Sequence, residues 1–445
     1  MDLGIMNFKA VHAIFAALLL AACAPDNVTQ TDAYPDICPD YVGVTVPESL
    51  CGLQFRMTDG SVFKKSVEKK ADTLFVSVTA WQKGSKTATA FRPFPVYVSK
   101  DAIDPYIAYR LIEPGYESWH YMGIYQRELA SFKESPIVTN RQTNLGCMNC
   151  HSFPEGDPSK MLFHARGASG GTIIADKDGL TLTDLSQIGP KRQGTYPHWH
   201  PDGRHVAFSS NTTYQDFNIK NEQPLEVFDI ESDLLILDTE TMKVTEYPTA
   251  GAMETFPCWS EDGSTLYYCS APHVDDIQNN KGKVHYSLMA RDFKDGRLQD
   301  EERLIYGSDS LSVSFPRISS GTLVFTLSSF GTFPIWHKEA DLWALDLASG
   351  EARALEELNS GESDSYHSWS SNGKWIVFSS RRVDGRYTRL YISHYNGDGS
   401  FTKPFQLPQD DPDFDGLRLK SYNIPEFVKG EVPDYRKQLK KLFRK

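Results

Sequence analysis

Three residues able to hold a metal or a cofactor fall within five positions: Cys147, Cys150 and His151, in "NLGCMNCHSF" (144–153). With 7 Cys and 12 His in 445 residues, composition alone gives roughly 0.003 matches to C-x-x-C-H, so coincidence is a poor account. Three chemistries use the pattern. A structural zinc site needs four ligands, in separated pairs as a rule, and no second C-x-x-C or H-x-x-x-H exists here. A redox dithiol of the thioredoxin type follows a strand and opens a helix, whereas "SFPEGDP" follows this motif. In covalent haem attachment two thiols add to two vinyl groups, and the neighbouring imidazole takes the iron as proximal ligand. That chemistry fits best: Cys147 and Cys150 as thioethers of one haem c per chain, and His151 as proximal ligand.

The distal ligand must come from nearby chain. Met161 and His164 lie on the next expected strand, where alternation puts them on opposite faces, so at most one points at the iron. His198 and His200 are weaker candidates, and an open five-coordinate iron is a further alternative. A hydrogen-bonded His inside a hairpin is an equally good reading of His164. Arg166 could neutralise a haem propionate, though an Arg after a strand is commonly a surface group.

Haem attachment requires export. Lys9 precedes an apolar run, Ala10 to Ala22, that is short for a bilayer span and ends in Leu20-Ala21-Ala22-Cys23. This resembles a bacterial lipoprotein signal (residues 1–22), which implies acylation of Cys23 and a tether beginning there. Ala24 after the Cys implies the outer membrane, facing periplasm or cell surface. Several acyl chains anchor a protein stably.

Removing Cys23, Cys147 and Cys150 leaves four of the seven cysteines. An exported protein permits disulfides, and a Cys38–Cys51 bridge is expected. Cys258 and Cys269 flank one expected hairpin with Trp259 opposite Thr265, about three residues out of register for bonding, and their pairing stays open.

The elements that position the motif are read from a repeat. "TYPHWHPDGRHVAFSS", "TFPCWSEDGSTLYYCS", "SFPRISSGTLVFTLS" and "SYHSWSSNGKWIVFSS" align, with hairpin turns at Asp202-Gly203, Asp262-Gly263 and Asn372-Gly373. Asp202 and Asp262 therefore read as turn formers, not catalysts. Each stretch continues into further strands, giving four-stranded units. "GCMNCHSF" occupies the place of "YPHW" and "FPCW", the innermost strand of its unit. Six units follow: 104–137, 140–190, 195–250, 254–308, 313–360 and 364–408.

The repeat resembles the TolB-like, WD-repeat-like β-propellers. That implies an all-β, six-bladed propeller over 104–410, with five or seven blades as alternatives. A tether with the start of the N-terminal segment (23–52) and a β-rich N-terminal segment (53–103) precede it, the latter a small domain or the donor of the closing strand. A C-terminal tail (411–445) follows, its basic end read as a solvated helix. With C-x-x-C-H and the signal, the chain resembles exported lipoproteins that join a mono-haem c site to such a propeller. An ordinary small cytochrome c is helical with a later distal Met, and that rule does not carry over.

A formal charge of −12 argues against nucleic acid as partner. No H-E-x-x-H, P-loop or G-x-G-x-x-G motif points to catalysis. Two functions from different classes remain. One is a membrane-tethered electron carrier to an envelope redox protein. The other is an envelope scaffold or ligand-binding propeller whose haem is structural or absent.

Overall fold

Each expected hairpin forms, and its apolar alternation buries one face against the blade before and the other against the blade after. The computed structural model describes residues 25–113, 121–167, 170–185, 194–217 and 225–444. Cys23 and the leader lie outside the described residues.

Among the described residues six four-stranded antiparallel sheets make a six-bladed β-propeller. Blade 2 runs outward from Met148–Ser152 through Met161–Ala165, Gly171–Asp176 and Gly179–Thr183. The inner strands of blades 3 to 6 are Thr195–Trp199, Ala252–Trp259, Ser312–Ser319 and Asp364–Trp369. "GCMNCHSF" thus supplies an innermost strand, as the alignment requires.

Blade 1 is built from both ends of the chain. Tyr106–Ile112, Gly123–Glu128 and Glu134–Thr139 are its outer strands, and Ser421–Val428 is its inner one. The closing strand therefore comes from the 411–445 segment and not from the N-terminal segment. The basic helix Arg436–Leu442 is not simply solvated either: Leu439 is buried with Val432 and Tyr435 in the apolar layer of blades 1 and 2. The N-terminal segment folds as a six-stranded sheet whose core, with Val76 and Phe94, is continuous with Trp375 and Val377 of blade 6.

One device recurs in all six inner strands. Two residues there face one on the neighbouring strand, as between Thr195↔Ser209 and His198↔Ala207, which is a β-bulge. The residue in the bulge has positive φ in every blade: Ile424 (51°), Cys150 (54°), Tyr196 (50°), Phe256 (52°), Phe315 (52°) and Tyr366 (47°). Bulky side chains are rarely left-handed, and six repeats of the conformation mark a constraint of the ring. The bulge also corrects the expected register of blade 4. Trp259 faces Leu266, Cys258 faces Tyr267 and Cys269 faces Thr255. Cys258 and Cys269 are free, buried thiols.

The tryptophan of the repeat locks neighbouring blades. Trp199 Nε1 donates to Ser152 O (3.2 Å), Trp259 Nε1 to His198 O (3.1 Å) and Trp369 Nε1 to Arg317 O (3.4 Å). The turn residues act as expected. Asp202 Oδ1 accepts from the main-chain N–H of Arg204 and His205, and Asp262 Oδ1 from that of Ser264.

Blade 3 carries an extension. His205–Phe217 and Leu225–Asp238 are long paired strands that reach beyond their blade. Glu226 on this hairpin bonds His337 Nε2 of blade 5 at 2.8 Å, and Glu339 holds Nδ1 at 3.2 Å. The two carboxylates outweigh burial and raise the His337 pKa to about 9.

Candidate cofactor site in the central channel

The six bulge residues meet at the waist of the channel. The ring centroids of Tyr196 and Phe256 lie 4.1 Å apart in a tilted pair, and Phe256–Phe315 (5.7 Å) and Phe315–Tyr366 (5.1 Å) meet edge to face. Cys150 stands where four other blades in succession place an aromatic ring, so blade 2 leaves a thinner wall. The waist separates two cavities.

The first, of about 180 Å³, lies at the mouth lined by Cys147, Asn149 and Cys150. Both thiols are free; Cys150 is 5% exposed and Cys147 more so. Burial raises the Cys150 pKa, with Arg166 and Arg110 opposing. Tyr196, Tyr366, Phe333 and Trp336 give the cavity aromatic walls, and Arg110, Arg166 and Arg381 give it positive charge. Arg381 is 4% exposed, lies 3.4 Å over the Trp336 ring, and is held by the carbonyls of Ile335 and Arg386. The extended hairpin of blade 3 brings Phe217, Leu225 and Val227 to the same mouth.

The second cavity, of about 170 Å³, opens at the opposite mouth, and His151 lines it together with His198, Arg317, His367, Ser368 and Glu426 among others. His151 follows the bulge residue and is tucked between blades 2 and 1, with the Ala108 and Ile424 carbonyls near its ring. Neither ring nitrogen makes a well-formed hydrogen bond, and Glu426 Oε2 lies 3.9 Å from Nε2. Burial lowers its pKa to about 3, so the imidazole is neutral. Burial also pushes Glu426 up to about 7; its Oε1 accepts from the main-chain N–H of Phe153 (2.9 Å).

As donors these residues fit haem c: two free thiols beside each other, an aromatic wall, cationic groups, and a neutral imidazole with unpartnered nitrogens. In direction they fit only in part. The structure brings Cys147 and Cys150 to one cavity and turns His151 toward the other, because the left-handed residue at 150 reverses the facing of the strand.

The distal candidates are not brought to the thiols. Met161 is fully buried in the apolar layer shared with blade 1, packed with Phe153 and Ile137. His164 faces Asn149 across the strand pair, as Ser209 faces Thr195 in blade 3. Its Nδ1 lies 3.4 Å from Thr172 Oγ1, Nε2 has no partner, and burial lowers its pKa to about 4. It does not line the thiol cavity. His198 lies at the opposite mouth, where its Nδ1 accepts from the main-chain N–H of Trp259 (3.2 Å). His200, in the blade 3 turn, is held by the Gly263 carbonyl (3.0 Å) and the Asp202 N–H (3.1 Å). It forms a cluster with Asp202 and His205, but Asp202 already bonds His205 Nδ1 at 2.6 Å, so the group reads as a closed turn.

The Cys38–Cys51 bridge is not formed. Cys51 Sγ accepts from Arg127 Nη2 (3.7 Å), while Cys38 lies on a two-residue strand paired with Arg56–Met57. The strand pairing, and not a disulfide, holds that segment.

Arg110 and Arg381 escaped sequence reasoning. Arg110 faces Asn423 as His164 faces Asn149, and the repeat would have shown it had the closing strand been aligned to blade 1.

No protein-family model and no curated protein matches the chain. Solved structures similar to it include TolB from Acinetobacter baumannii, 13% identical with a TM-score of 0.46 over 82% of this chain and 83% of that one. A putative TolB from Agrobacterium tumefaciens is 12% identical, with a TM-score of 0.43 over 74% of this chain and 99% of that one. Hydrazine synthase from Kuenenia stuttgartiensis is 11% identical, with a TM-score of 0.46 over 76% of this chain and 48% of that one. The propeller rests on the sheet topology itself.

Proposed function

We propose that this chain is an exported haem-c-binding propeller, anchored through acylated Cys23, that passes electrons to a redox protein of the cell envelope. The observation that carries the reading is the pair of free thiols of a C-x-x-C-H motif at one mouth of the channel. Bound there, a haem supplies a one-electron centre. The chain's part would be to hold it: Cys147 and Cys150 would bond it covalently, and the aromatic walls would exclude water. In this reading His151 would hold the iron, kept neutral by burial as ligation requires. The open mouth offers a partner a close approach. An outer-membrane lipoprotein facing periplasm or surface is the location this implies.

The second reading is a ligand-binding or scaffold propeller in which the haem is structural or absent. The turn of His151 away from the thiol cavity favours it. The two separate on protein matured with c-type haem attachment machinery. The first expects a pyridine haemochrome with one haem per chain and reversible reduction; stoichiometric zinc without haem overturns it. Anchoring is checked by labelled fatty acid, which should enter the wild type and not Cys23→Ala.

A further inference from the structure

The thiol mouth holds an imbalance of charge that the covalent reading leaves unexplained. Blades 6, 1 and 2 are neighbours, and each sends one arginine to this cavity: Arg381, Arg110 and Arg166. Among the described residues none of the three has a carboxylate within 4 Å. The single acidic residue lining the cavity, Glu113, pairs with none of them. The Nε atoms of Arg110 and Arg166 are buried without any hydrogen-bond partner. The chain as a whole carries −12, so three guanidinium groups without a carboxylate partner on one arc run against its composition. A buried donor left unpaired costs about 1–3 kcal/mol, more when charged, which is the cost expected where a ligand completes the set. Guanidinium groups match carboxylates best, through short, charge-assisted and often bidentate bonds.

The other side of the cavity has a different character. Blade 3 contributes Tyr196, Thr195 and Asn211 with apolar residues of its extended hairpin, and blade 5 contributes Phe333 and Trp336. A flat aromatic ligand fits such walls, and a cationic arc beside them suits one that carries acid groups. Arg381 is already fixed, stacked on Trp336 and held by two carbonyls, so ordering it on binding costs little.

We infer that Arg110, Arg166 and Arg381 form a carboxylate clamp, and that the cavity selects a planar dicarboxylate of the tetrapyrrole class by its acid groups independently of thioether formation. This deepens the haem reading and rests on it for the identity of the ligand, but the clamp is a property of the protein without haem.

The test uses full-length protein made without the attachment machinery, titrated with protoporphyrin IX and with its dimethyl ester while porphyrin fluorescence is followed. The free acid should bind at least about tenfold more tightly than the ester, the ratio that one charge-assisted contact confers. Arg110→Gln and Arg166→Gln, both at partly exposed positions and checked by circular dichroism, should each weaken the acid about tenfold and leave the ester unchanged. Arg381→Lys should retain part of the preference. Equal binding of acid and ester, no binding of either, or variants that discriminate as the wild type does would each overturn the clamp. The two proposals fail separately. Haemochrome in matured protein with no acid preference defeats the clamp and leaves the haem reading. An acid preference in a chain that never acquires haem does the reverse.

Discussion

Blades 2 and 6 place the same residues at the same point of the ring. Cys150-His151-Ser152-Phe153 and Tyr366-His367-Ser368-Trp369 share the left-handed residue, the buried imidazole after it and the serine beyond. His367 Nε2 donates to the Val324 carbonyl of blade 5 at 2.9 Å, whereas His151, in the same slot against blade 1, makes no well-formed bond. Tyr366 closes the waist with its ring; Cys150 opens it with a thiol. In blade 6 the histidine is accounted for by packing. In blade 2 it is a buried polar group without a well-formed hydrogen bond, next to a thiol, and such groups call for an explanation. The scaffold is repeated, and blade 2 departs from it in the residue at Cys150 and in the bonding of His151.

The largest expected effect separates the blades at the bulge residue. Cys147→Ser with Cys150→Ser should abolish haem that survives denaturation, read by peroxidase staining in gels, while Tyr366→Phe should leave it untouched. Retention of covalent haem by the double variant ends the assignment of these thiols.

The two histidines should then diverge in kind. His367→Ala removes a made bond and leaves a void, at a cost of about 3 kcal/mol in urea unfolding. His151→Ala should cost less, because no good bond is lost, and should change the spin state of haem-loaded protein. Equal losses of stability and an unchanged spectrum would make His151 a second packing histidine.

Acid tests the burial that the two histidines share, read here at His367. Burial lowers its pKa to about 3, below the unfolded value of 6.5. That neutral form therefore favours folding above pH 6.5, and the contribution is lost as pH falls toward the folded value. By pH 5 one such histidine costs about 2 kcal/mol, so wild type should lose that much more than His367→Asn between pH 7 and pH 5. Parallel losses in the two proteins would show that His367 is already charged in the fold.

The smallest effect concerns the tryptophan lock. Trp199→Phe removes the bond to Ser152 O and should cost about 1 kcal/mol. Phe153, at the equivalent place in blade 2, has no such donor, and Phe153→Leu should alter stability through packing alone. A Trp199→Phe protein as stable as wild type would show that the indole N–H adds nothing across the blades.

Much of this ring was legible. Four stretches of sequence spell the inner hairpin, each with an aromatic residue at the left-handed position and a tight turn at fixed spacing, and three of them with a tryptophan between. The closing strand carries a partial form of this signature in Ile424-Pro425-Glu426-Phe427. It was not read because its partner, Tyr106–Ile112, lies more than three hundred residues earlier, so no local hairpin follows it. The long blade 3 hairpin and its Glu226–His337 anchor were illegible for a similar reason: the partners belong to different blades.

Sequence by itself determined the propeller repeat, the innermost place of the C-x-x-C-H strand and the presence of two thiols and an imidazole in one short run. These are matters of local spacing, and spacing survives without a fold. Only the tertiary structure decided which way those side chains face. The bulge sends Cys147 and Cys150 to one mouth and His151 to the other. Ring closure brings Arg110 beside the thiols and Glu426 beside the imidazole, and blade 6 adds Arg381 from the far end of the chain. The direction of a side chain in a closed ring depends on the backbone conformation at each bulge and on neighbours distant in sequence, and neither is encoded in spacing alone.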